Sequence, residues 1–103
     1  QAGSAYTAAS GDAIVPPLNH TFVAITMVTD CTFDSSGGLT AEDAEKYINT
    51  EDAANDLASG SESSVEGSGG QVVDSVIFPA GMTIYGRWSE IDVATGSCVA
   101  YIG

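Results

Sequence analysis

Apolar and polar side chains alternate along the last quarter of the chain. In a β-strand over these residues, one face would carry Met82, Ile84, Gly86 and Trp88, and the other face would carry Thr83, Tyr85 and Arg87. Turn sequences flank this strand, because Pro79-Ala80-Gly81 and Thr95-Gly96 each place a glycine where a positive φ can close a turn. We therefore expect antiparallel strands, with Trp88 as the core anchor.

The longest apolar stretch runs from Thr21 to Phe33. Strict alternation would put Val23, Ile25, Met27, Cys31 and Phe33 on one face and Phe22, Ala24, Val28 and Asp30 on the other. Both faces begin apolar, which predicts a central strand. A short edge strand is expected from Asp12 to Val15, ending at Pro16-Pro17 because proline cannot donate to a ladder.

The middle of the chain is polar and acidic. Thr40 followed by Ala41-Glu42-Asp43 is typical of a helix start, and a second short helix or turn is expected from Thr50 to Gly60. The segment from Ser59 to Gly70 is rich in Ser, Gly and Glu and is predicted to be an exposed loop. These pieces form an acidic helix and loop insertion at about residues 39–70.

The predicted domain organisation is simple, since 103 residues suffice for one domain only. Residues 1–11 are small and polar apart from Tyr6, and we expect an extended arm that orders against a neighbour. Residues 12–103 then form one mainly β domain, a compact antiparallel β-sandwich or jelly-roll-like fold with one or two short inserted helices.

Three segments of the chain resemble a known family. The segments are residues 16–26, Phe78-Pro79-Ala80-Gly81-Met82-Thr83-Ile84-Tyr85-Gly86-Arg87-Trp88 and Val93-Ala94-Thr95-Gly96-Ser97-Cys98-Val99-Ala100-Tyr101-Ile102-Gly103. They resemble small virion proteins of marine tailed bacteriophages. The resemblance covers roughly half of the chain and leaves the acidic middle unmatched. It implies a non-enzymatic structural protein on the capsid exterior, assembled in the host cytoplasm, that decorates or cements the head by binding the major capsid protein or another virion protein.

Charge narrows the range of partners. Fourteen acidic residues against two basic ones give a net charge of −12, which repels nucleic-acid phosphates and anionic membranes. No apolar run is long enough to cross a bilayer. We expect a basic or apolar docking partner, many copies per particle, and a homo-oligomer, with a trimer as the guess.

The two cysteines leave two alternatives open. A bond between Cys31 and Cys98 would close a long loop and stabilise the fold by about 4 kcal/mol. Two buried free thiols are the other alternative, and they are more usual in a reducing cytoplasm. The pair without a nearby histidine does not suggest a metal site.

Candidates for catalysis or cation binding each have a structural explanation. His20, the sole histidine, lies in a turn sequence, and an enzyme would need it beside two carboxylates. Eight of the carboxylates lie between Glu42 and Glu66, without the spacing of a calcium loop, which favours a solvated acidic face over weak cation binding. Asp30 and Asp34 could share a cation, although turn formation is the ordinary role. No cofactor is predicted.

Three further side chains are candidates for interaction. Arg87 is expected to form an ion pair within the chain, with Glu90 or Asp92, in preference to a ligand contact. Tyr85 and Tyr101 suggest an alternative function, a carbohydrate-binding or adhesin-type β-sandwich module on a tail or head fibre, if they form an exposed aromatic line. They could equally pack as pairs across strands.

Overall fold

Seven strands make up the regular structure of the residues that the structure describes. The computed structural model describes residues 2–43, 46–50, 73 and 75–103. In chain order the strands are β1 (Gly3–Ala8), β2 (Phe22–Met27), β3 (Thr32–Phe33), β4 (Leu39–Ala41), β5 (Thr83–Ile91), β6 (Val93–Thr95) and β7 (Ser97–Ile102). All neighbours pair antiparallel, in a five-stranded sheet of order β1-β7-β2-β5-β4 and a two-stranded sheet of β3 and β6. The predicted mainly β, antiparallel fold class is confirmed.

One face of the large sheet and the small sheet together enclose the core. Its members are apolar and almost completely buried: Phe22, Ile25, Met27, Cys31, Phe33, Leu39, Phe78, Trp88, Ile91, Val93, Cys98 and Ala100. Phe33 and Phe78 meet edge to face, with ring centroids 5.5 Å apart. Trp88 is fully buried and is the largest side chain in this cluster, so its predicted role as core anchor is confirmed.

The long apolar stretch is a central strand that ends early. β2 lies between β7 and β5, as both of its apolar faces predict, but pairing stops at Met27 and resumes as β3 in the other sheet. A register shift between Phe22 and Ala24 turns Phe22 into the core, whereas strict alternation assigned it to the opposite face from Ile25. The predicted single strand from Thr21 to Phe33 is therefore wrong.

The two predicted turns are confirmed. Gly81 has φ of +85°, and the amide of Met82 donates to the carbonyl of Pro79 at 3.1 Å to close the turn before β5. Gly96 has φ of +88° between β6 and β7. A Cβ there would overlap the carbonyl oxygen of Asp30, so glycine also admits a close backbone approach.

The predicted helix start at Thr40 is wrong. Leu39–Ala41 is strand β4, in register with β5 at Leu39↔Ile91 and Ala41↔Trp88. Leu39 is fully buried by this pairing, so burial against β5 overrides the helical preference of the local sequence. No helix occurs among the residues described. Residues 44–45, 51–72 and 74 lie outside them, and so do the second predicted helix after Thr50 and the whole of the predicted Ser59–Gly70 loop.

The N-terminal segment also differs from expectation. Gly3–Ala8, inside the predicted arm, is the edge strand β1 and pairs with β7 over six residues of the same chain. Thr7 in this strand is buried, so β1 packs against its own chain. The expected edge strand at 12–15 is reduced to one bridge, where Ile14 and Ile91 exchange hydrogen bonds of 2.8 and 3.0 Å.

Candidate functional site

The sole histidine lies in an exposed turn. The amide of His20 donates to the carbonyl of Pro17 at 3.0 Å, and Asn19 has φ of +66°, within the left-handed region that asparagine tolerates. His20 Nδ1 lies 3.0 Å from the carbonyl oxygen of Leu18. These contacts are local to the turn, and they match the predicted turn role.

Several carboxylates have structural contacts. Asp30 Oδ1 accepts a 2.8 Å hydrogen bond from the amide of Ala80, in a turn 50 positions away along the chain. Burial raises the pKa of Asp92, and the neighbouring Asp34 raises it further. Across the described part of the chain, no three metal-ligating side chains are grouped to hold an ion. Most of the acidic face predicted between Glu42 and Glu66 lies beyond the described residues.

Arg87 forms its ion pair with Glu42. Its Nε lies 2.7 Å from Glu42 Oε1 and its Nη2 lies 3.4 Å from Oε2, and both side chains are about half exposed. The prediction that the partner of Arg87 is Glu90 or Asp92 is therefore wrong. β4 delivers Glu42 to this position, because the amide of Glu42 donates to the carbonyl of Arg87 at 2.8 Å. Glu90 instead lies opposite Thr40 in the β4–β5 ladder.

Both cysteines are buried free thiols, the second of the two alternatives. Cys31 Sγ donates to the carbonyl of Ser97 at 3.0 Å, so it lies beside the strand that carries Cys98. Burial, and secondarily Cys31, raises the pKa of Cys98 to about 12. Burial also raises the pKa of Cys31. Thiols held in this protonated form are poor nucleophiles and serve as small apolar side chains.

The outer face of the large sheet carries three tyrosines on three strands. Tyr6 on β1 is 62% exposed and Tyr85 on β5 is 77% exposed, while Tyr101 on β7 is half-buried. The predicted position of Tyr85 and Arg87 on the face opposite Trp88 is confirmed. Tyr6 lies directly opposite Val99, and Tyr101 lies two positions further along β7.

Tyr85 and Tyr101 border one groove across β7, β2 and β5. We call it the tyrosine groove; its volume is about 460 Å³ and its lining is Val23, Ala24, Thr26, Thr83, Tyr85, Tyr101 and Gly103. Ala24 lies opposite Tyr101 on one neighbouring strand and opposite Tyr85 on the other. Its small side chain forms the bottom of the groove and does not fill it. Thr26 and Thr83 join their hydroxyls at 2.8 Å within the groove. The two tyrosines therefore flank a groove and do not pack as a direct cross-strand pair.

A second surface feature adjoins the Pro79-Ala80-Gly81 turn. Four exposed apolar side chains, which we call the apolar tip, are Val28, Val76, Ile77 and Met82. They adjoin one junction, where Met27 bonds to Gly81 and Met82, and Cys31 bonds to Phe78 on both sides at 2.8 Å. The alternating patterns along the sequence did not predict this set. The apolar residues that flank the Pro79-Ala80-Gly81 turn in the sequence could have indicated an exposed apolar surface there.

Comparison with protein-family models, with curated proteins and with solved structures found no match. No membrane-crossing helix is found in the described part of the chain. A functional proposal therefore rests on the fold, on the two surface features described above and on the sequence resemblance.

Proposed function

We propose that this protein is a non-enzymatic structural protein of a phage virion, which decorates or cements the capsid exterior by binding the major capsid protein. The sequence resemblance supports this, and its three segments include β7 and most of β5 and of β2. These strands are neighbours at the centre of the large sheet. The resemblance thus covers the middle of the fold and is not confined to separate turns.

The observation that carries the docking proposal is the apolar tip. Ile77 is 66% exposed and Val28 is 51% exposed, in a chain whose net charge of −12 favours solubility. Exposed apolar side chains around one backbone junction of an otherwise acidic protein are typical of an interaction surface. The tip is also preorganised, because hydrogen bonds from Gly81 to Met27 and from Ala80 to Asp30 hold its turn.

The expected partner surface on the capsid protein is apolar with a basic margin. The negative charge of the chain would then contribute to the rate and specificity of docking, while apolar burial supplies most of the affinity. Repeated copies at equivalent capsid positions make a homo-oligomer the expected state, with a trimer at local three-fold axes as the working arrangement. Nucleic acid and membrane are not proposed as partners.

Co-sedimentation with purified phage heads stripped of this protein tests the proposal. Wild-type protein should bind at a fixed copy number per head, and Ile77→Ser combined with Met82→Ser should reduce binding at least tenfold. Val15→Ser combined with Leu18→Ser is the matched control, since these side chains are also exposed and apolar but lie elsewhere in the chain. Absence of the wild-type protein from purified particles and from reconstituted heads would refute the virion role. Equal loss in both double variants would refute the tip as the docking surface.

A further inference from the structure

The tyrosine groove has the dimensions of a site for a single ring. Tyr101 and Tyr85 lie on the two strands that flank β2, so their backbones are about 10 Å apart, two strand spacings of about 4.8 Å. A ring held between two aromatic faces needs about 7–8 Å, the sum of two contacts of 3.5–4.0 Å. Ala24 fills the floor with one methyl group and leaves this space open.

The polar side-chain groups that line the groove are hydroxyls. Thr26 Oγ1 and Thr83 Oγ1 share one hydrogen bond of 2.8 Å, in which either atom can be the donor. One hydroxyl hydrogen and several lone pairs therefore stay available to a ligand. The tyrosine hydroxyls add two more groups that both donate and accept. Such a set suits a ligand that itself carries several hydroxyls.

Charge and aromatic character restrict the ligand further. The side chains that line the groove carry no charge at neutral pH, whereas the whole chain carries −12. An anionic ligand would meet the repulsive field of the protein without a cation to bind it. The faces of the tyrosine rings carry partial negative charge, which attracts the slightly positive C–H groups of a saturated ring.

We infer that the tyrosine groove binds a neutral pyranose unit of a polysaccharide between Tyr85 and Tyr101, with sugar hydroxyls on Thr26 and Thr83. The groove is open to solvent, so it fits an internal unit of a glycan chain that continues beyond it. This inference does not depend on the apolar tip or on attachment to a capsid. It adds a second binding surface, on the outer sheet face.

Affinity electrophoresis in gels that contain a polysaccharide tests the inference. The probes are dextran, galactomannan and mixed-linkage β-glucan, with alginate as an acidic comparison. At least one neutral polymer should retard the wild-type protein, and alginate should not. Tyr85→Ala and Tyr101→Ala should each weaken retardation at least tenfold, while Tyr85→Phe should retain most of it because the ring face persists.

Tyr6→Ala is the matched control, because Tyr6 is an exposed tyrosine on the same sheet face but does not line the groove. It should bind as the wild type does. The inference is wrong if no neutral polymer retards the wild type, if alginate alone does so, or if Tyr6→Ala weakens binding as much as Tyr85→Ala. The Ile77→Ser and Met82→Ser double variant should keep its retardation, so failure of the glycan site and failure of the capsid role give different results.

Discussion

Trp88 combines two requirements of a small core. Its ring is fully buried, and its Nε1 donates a 2.8 Å hydrogen bond to the carbonyl of Ile48. A buried indole N–H without a partner would destabilise the fold, so Ile48 is as much a part of this arrangement as the apolar contacts. The alternating pattern along β5 identified Trp88 as the anchor. No sequence signal identified Ile48, because the contact joins residues 40 positions apart.

Because Gly86 has no side chain, the ring of Trp88 can occupy the space beside it. A Cβ at position 86 would lie 2.7 Å from Cζ2 and 2.9 Å from Cη2 of Trp88, and real Cβ atoms do not approach carbon so closely. Gly86→Ala should therefore displace the ring and destabilise the protein by about 1–3 kcal/mol, the usual cost of overpacking. Urea unfolding followed by Trp88 fluorescence measures this change, together with any shift in the native emission.

Gly11→Ala is the control for that substitution. A Cβ at position 11 would lie 3.4 Å from the carbonyl oxygen of Ala8, an ordinary contact distance, so its effect on the free energy of unfolding should stay within about 0.5 kcal/mol. A stability of Gly86→Ala equal to that of the wild type would show that the Trp88 ring does not pack against position 86.

At the level of elements, local patterns predicted the centre of the sheet and missed both of its edges. β5 and the turns at Gly81 and Gly96 follow from alternation and glycine placement, which act within a few residues. β1 and β4 depend on distant partners, β7 and β5, that supply the ladder. The tyrosine groove shows the same division, since Tyr85 and Tyr101 were candidates but only the register around Ala24 brings them to one groove.

β1 should contribute directly to stability. Deleting residues 1–9 removes the six-residue pairing with β7 and exposes a new sheet edge. Several hydrogen bonds, each contributing about 0.5–1.5 kcal/mol net, are lost, so we expect a loss of at least about 2 kcal/mol. The midpoint of urea unfolding is the measurement. An arm that orders only against a neighbour would instead leave that midpoint unchanged.

Tyr6→Ala separates the strand from its exposed side chain. Tyr6 is 62% exposed, and its removal leaves the β1 ladder in place, so the unfolding free energy should change by less than about 0.5 kcal/mol. Destabilisation by Tyr6→Ala as large as that of the deletion would mean that the tyrosine, and not the pairing of β1 with β7, holds this edge.

Across the whole molecule, acidic charge opposes folding where carboxylates converge. Asp92 follows β5, and its pKa is raised first by burial and then by Asp34, with smaller contributions from Glu90 and Asp12. The ion pair between Arg87 and Glu42 joins β5 to the end of β4 and offsets little of the net charge of −12. Much of the charge therefore persists as mutual repulsion that salt can screen.

The raised pKa of Asp92 determines how this residue makes the stability of the fold depend on pH. The folded state binds this proton more tightly than the unfolded state, so the group favours folding at low pH, and that contribution is lost as pH rises from the unfolded pKa through the higher folded pKa. At pH 7 the charged carboxylate is a net cost. Asp92→Asn removes that cost and should raise Tm at pH 7, with a gain that shrinks as pH falls towards the carboxyl pKa range near about 4.

Thermal unfolding of wild type and Asp92→Asn between about pH 4 and 8, at about 0.05 and 1 M NaCl, measures this gain. Salt shortens the screening length from more than about 10 Å to about 3 Å, so it should reduce the part of the gain that comes from Asp34 and Glu90. The part that comes from burial should remain, because ions in solution do not restore lost hydration. A gain that vanishes in salt would assign the raised pKa to the neighbouring carboxylates alone, and a lower Tm for Asp92→Asn at pH 7 would contradict the sign of the effect.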